Sequence, residues 1–109
     1  MNDLADVKRI VEQYLVKGGQ ILENATELSA AKQVEQLWTE GLSKLDSLKL
    51  SADDRRNFRL LRQAFKSAIR AAQALQKGQF RKAESLTEEY IDYSQRYNAA
   101  FISRAVSKL

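Results

Sequence analysis

The chain has 109 residues, 44% of them hydrophobic and 29% charged, with a net charge of +4. Cysteine and histidine are both absent, which excludes disulfides, thiolate or imidazole ligands to zinc or haem, and Ser-His-Asp or Cys-His nucleophile chemistry. Proline is absent too, and only four glycines interrupt the chain, so composition points to long helices joined by short links in a single domain over 1–109.

A first helix is expected from Asn2 or Asp3, either of which can cap it. Leu4, Val7, Val11, Tyr14, Gly18, Ile21 and Ala25 follow alternating steps of three and four, the seam of a packed helix. That seam runs through Gly18-Gly19, so one helix to about Glu23 is expected, with Gly18 as a point of close approach. The alternative is a break at the glycine pair.

Residues 24–29 read as a link in which Thr26 or Ser29 caps the second helix. Its expected buried face is Ala30, Val34, Leu37, Trp38, Gly41, Leu45 and Leu48, with Trp38 in the core. Ser51 followed by Asp53 and Asp54 marks the start of a third helix, because the hydroxyl caps it and the carboxylates suit its N-terminal pole. This helix is expected to run to about Lys77, with Gly78 as the residue that closes it. The fourth runs from Gln79 to about Ser107 and is expected to bury Phe80, Ala83, Leu86, Tyr90, Ser94, Tyr97, Phe101 and Ala105. Tyr93 falls off that face and is a candidate for a contact surface. The fold class is therefore all-α, an antiparallel four-helix bundle running up-down-up-down.

Charge is uneven along this scaffold. Residues 53–82 hold nine basic and two acidic side chains, against six and eight in 1–52 and three and four in 83–109. In the third helix Arg55, Arg59, Arg62, Lys66, Arg70 and Lys77 fall within roughly 80° of the helix wheel, a row about 33 Å long. Phe58, Leu61, Phe65, Ile69 and Ala72 centre about 110° away and form the core face. Such a row suits phosphates or an acidic protein surface, and arginine suits bidentate contact with either. No aromatic residue interleaves with it, so unstacked bases have no platform. Glu84, Glu88 and Asp92 on the fourth helix offer the competing outcome, in which the row is neutralised within the chain. Leu60, Ala64, Ser67, Ala71 and Ala74 make a further face of mostly small residues on the third helix. It can seat a second neighbouring helix or another chain, and the latter leaves room for a homodimer.

No catalytic, cofactor or metal site is expected. Glu84, Glu88, Glu89 and Asp92 lack the histidines of a di-iron bundle site. A Gly18-Gly19 pair alone is no phosphate loop. No stretch approaches the ~20 apolar residues of a membrane span. Asp3 and Asp6 ahead of any apolar run are unlike a secretory leader, and a cytoplasmic protein is expected.

The segment from Ala74 to Ala83 resembles the helix-Gly-helix turn of tetratricopeptide and MIT-type pairs. It also resembles the last hairpin of cytochrome b562, but the only methionine is Met1 and no histidine exists to bind haem. The stretch from Val34 to Leu61, with Glu40-Gly41-Leu42-Ser43-Lys44 and Leu50-Ser51-Ala52-Asp53-Asp54, is similar in layout to helices two and three of pediocin-like bacteriocin immunity proteins. That resemblance implies a non-enzymatic cytoplasmic bundle that blocks a bacteriocin–receptor complex, and it supplies no residue-level site. The expected function is a non-catalytic protein-interaction module acting through helix faces, as an immunity protein, chaperone or adaptor. The alternative is a nucleic-acid backbone binder that uses the basic row.

Overall fold

The first helix starts where two carboxylates exchange caps. Asp3 Oδ1 accepts from the amides of Ala5 and Asp6, and Asp6 Oδ2 accepts from the amide of Asp3 at 3.1 Å. That backbone hydrogen bond, with one from Asn2 and the charge of Arg9, holds the Asp6 carboxyl below the ordinary aspartate range. Asn2 in turn joins the start of the chain to Lys49, by a backbone bond and a side-chain bond of 2.8 Å each. The computed structural model describes residues 2–25 and 27–107.

Helix α1 covers 4–23 as three contiguous stretches, Leu4–Ile10, Val11–Val16 and Lys17–Glu23, the middle one in π geometry. It does not break at the glycine pair. Gly18 is buried against α2 (Ser29–Asp46), where the indole of Trp38 occupies the space that a Cβ would need. Trp38 Nε1 donates to the Leu15 carbonyl at 3.2 Å, so the buried indole N–H is satisfied at the end of the widened turn. Gly41 repeats the device one turn on, with Tyr14 and Phe65 against its bare Cα.

The seam of α2 is Ala31, Val34, Trp38, Gly41 and Leu45, all buried. Ala31 replaces the expected Ala30, which is only half-buried, because the true row keeps alternating steps of three and four from Ala31 onward. The expected cap is also corrected. Leu28 holds the N-cap position without a side-chain bond, and Ser29 is the first helical residue, its hydroxyl donating to Glu27. Thr26 lies outside the described residues.

Helix α3 (Ala52–Gln76) begins as expected, with Ser51 Oγ accepting from the amide of Asp54. It ends at Gly78, whose φ of +69° is a left-handed conformation that costs glycine nothing. The amides of Gly78 and Gln79 return to the carbonyls of Leu75 and Ala74, a Schellman closure. Helix α4 (Phe80–Ser107) then folds back along α3.

Four helices thus pack into one all-α body of 45 × 21 × 20 Å, and no strand occurs among the described residues. Contacts are dense between α3 and α4, substantial between α2 and its two sequence neighbours, and sparse between α1 and α4. Phe65, Leu45, Leu61 and Val34 are the largest fully buried side chains. Trp38 lies 6.3 Å from Tyr90 across the core. Ala83 and Tyr97 are buried on α4, with Leu86, Tyr90, Ser94, Phe101 and Ala105 half-buried. Phe80 is not a core residue. It is 60% exposed, in the first helical position beside the turn at the end of the bundle.

Two outcomes follow. Gly18→Ala must displace the indole and is expected to cost about 1–3 kcal/mol, read as a lower urea midpoint. Gly19→Ala, whose Cβ meets nothing, should instead stabilise by about 0.5–1 kcal/mol through helix propensity. Burial, reinforced by the Asp54 charge, pushes the Tyr97 hydroxyl up to about 12. A raised pKa in the folded state means stability that is complete below pH 10 and lost as pH rises from 10 toward 12. The share of the loss due to Tyr97 should amount to roughly 2–3 kcal/mol. Tyr97→Phe should remove that share from alkaline denaturation curves, leaving that of Tyr90, whose hydroxyl burial also pushes up. That hydroxyl has no hydrogen-bond partner among the described residues, so the same variant should be no less stable at pH 7.

Candidate polyanion-binding edge

Helix α3 presents three faces roughly 110–120° apart on the wheel. The face with Leu61, Phe65 and Ala72 enters the core. The face with Ala64, Ser67, Ala71 and Ala74 is also buried, at no more than 5% exposure, and Leu60 beside it is half-buried. Helix α4 lies over it, and Ser67 Oγ donates to Glu89 Oε1 at 3.1 Å. Of the two occupants that these small residues admit, the chain's own α4 takes the seat, since alanines let two helices approach closely.

The third face carries the row. Arg55, Arg59, Lys66, Arg70 and Lys77 are exposed, and Arg62 is half-buried. Among the described residues Arg62 alone has a carboxylate partner, Asp46 of α2 at 3.0 Å. Among the described residues no carboxylate oxygen lies within 4.0 Å of the other five cations, the ion pairs being Lys8–Glu12, Arg9–Asp6, Arg62–Asp46 and Arg96–Asp92. The competing outcome, neutralisation by Glu84, Glu88 and Asp92, is not seen among the described residues. Ala83 marks the buried side of α4, and these three residues sit roughly 100–180° round from it, out in solvent. Asp92 pairs with Arg96 of its own helix instead. Gln73, which fills the gap in the row, donates to Glu35 of α2 together with Gln76, at 3.3 and 3.0 Å.

Two hollows flank this edge. At its start Arg55, Arg56 and Arg59 surround a depression of about 520 Å³ floored by Leu50 and Ala52. At its end Arg70 and Lys77 meet Lys82 of α4 around one of about 350 Å³. Arg56 and Lys82 were not part of the row read from sequence. Arg56 sits one wheel step off it, although its adjacency to Arg55 was a visible signal. Lys82 joins only because the Gly78 turn brings the start of α4 alongside. Elsewhere, α1 and α4 leave a largely apolar hollow of about 230 Å³ lined by Val11, Val16, Tyr97 and Phe101 together with Lys8, Glu12 and Asn98. Tyr93 is half-buried. No group of three or more metal-ligating side chains occurs, and no helix is long and apolar enough to cross a membrane, among the described residues.

Asp46→Asn releases Arg62 and, with both partners about 40% exposed, should change stability by less than about 1 kcal/mol. It should also delay elution from a heparin column more than Glu84→Gln, which removes the same charge away from the edge. Equal delays would mean that net charge alone decides retention. The chain finds no significant match among protein-family models, curated proteins or solved structures.

Proposed function

We propose that this protein is a non-catalytic binding module that docks a polyanion along the α3 edge, in the first instance the phosphate backbone of a duplex nucleic acid. The observation that carries this reading is the set of five exposed cations without carboxylate partners among the described residues. Holding like charges in a line costs energy that a counter-charge from outside the chain recovers. Backbone is favoured over bases because Phe58 and Phe65, the aromatic residues of α3, are half-buried and buried. They offer no stacking surface.

A second reading, a protein-interaction module such as an immunity protein, chaperone or adaptor, is favoured by a different observation. Phe80, Ile91 and Ile102 are 60%, 46% and 62% exposed. Steps of eleven residues keep them within about 40° on one line of α4. Protection of a bacteriocin-sensitive strain on expression would support the immunity sub-case, and no protection would remove it.

For the polyanion reading, affinity for a short duplex should fall with salt. A slope of roughly −4 to −5 in log K against log salt is expected if each free cation neutralises one phosphate. Arg59→Ala or Lys66→Ala should make that slope shallower by about 1. Absence of duplex retention at low salt would overturn the reading.

A further inference from the structure

The hollow at the α3–α4 corner differs from the rest of the edge. Arg70 comes from the last turns of α3, Lys77 caps its C-terminus, and Lys82 comes from the first turn of α4. Among the described residues no carboxylate lines the space between them. Glu35, the acid held nearby, is turned to the amides of Gln73 and Gln76 on the α2 side. The opposed poles of the two helices meet at this corner, and the Schellman bonds occupy the Leu75 and Ala74 carbonyls. The field in the hollow is therefore set by the three cationic side chains, with the Gln79 amide beside them.

We infer that this corner hollow is a phosphomonoester site, formed by Arg70, Lys77 and Lys82 together with Gln79. Three cations lining one hollow match a group of charge near −2 better than the single charge of a backbone diester. The volume of about 350 Å³ admits one such group with its first carbon substituents. The site also lies at the end of the row, where a strand tracked along α3 would present its terminus. That last step rests on the proposed function, whereas the phosphomonoester site itself does not. The same chemistry reaches the hollow from a 5′-phosphorylated strand end or from a small soluble phosphomonoester.

The test uses methyl phosphate, with dimethyl phosphate as the diester control, followed through backbone amide shifts of the full chain. Saturable shifts confined to residues near 77–82 are expected with methyl phosphate and not with the diester. Lys82→Ala should weaken the binding behind them by roughly two- to fivefold. Arg81→Ala, an equal loss of charge outside the hollow, should not. Diffuse shifts, equal response to both esters, or equal loss in the two variants would overturn the inference. A second arm compares duplexes with 5′-phosphate and 5′-hydroxyl ends. Preference for the phosphorylated end by roughly two- to fivefold, lost in Lys82→Ala, supports a strand terminus as the source. Methyl phosphate binding without that preference supports a small ligand. Methyl phosphate binding without any duplex binding overturns the proposed function and leaves the corner site standing. Duplex binding without methyl phosphate binding does the reverse.

Discussion

Helix α3 is clamped between neighbours on two of its three faces. Leu61, Phe65 and Ala72 fill the core on one side, and Ala64, Ser67, Ala71 and Ala74 close against α4 on another. A helix buried twice has one strip left for charge, and six of its basic side chains must share it. The scaffold serves this arrangement. Trp38 seats on the bare Cα of Gly18 and bonds to Leu15, which fixes α1 on α2. Gly78 then turns the chain so that α4 covers the small-residue face and leaves the basic one open.

This constraint links fold to chemistry. Surface ion pairs contribute little stability each, so the row of cations is not explained as a device that holds the bundle together. Among the described residues Asp46 reaches Arg62 near the middle, and the cations toward both ends remain without carboxylates. A surface of this kind attracts anions at long range and binds them with a strong dependence on salt. The apolar hollow between α1 and α4 has a different character. It lies on another side of the molecule, and it leaves protein contact as a separate use of the same bundle.

Much of this was legible in the sequence because the signals were local. Ser51 and Asp3 announced two helix starts, Gly78 announced a turn, and the unbroken seam through Gly18 announced close packing. What the sequence misplaced depended on rotation between helices. Glu84, Glu88 and Asp92 are near α3 in chain topology, but a turn of α4 about its axis decides whether they face it, and Ala83 takes the inward position. The same rotation buries the alanine face of α3, which period alone could not assign to a neighbour inside or outside the chain. The start of α2 was missed because Leu28 fills the cap position without a capping side chain. Phe80 was misassigned because the α4 seam extends by periodicity past the point where neighbours cover it. Lys82 entered the site through tertiary proximity, which no spacing within one helix encodes.

The most direct measurement is a residue-by-residue map of amide shifts as a short duplex is titrated into the full chain at low salt. Changes confined to the exposed edge of residues 55–77 and the adjoining corner to Lys82 are expected. Changes centred on the α1–α4 hollow or on the Phe80–Ile91–Ile102 line, with the α3 edge silent, would contradict the assignment of that edge as the working surface.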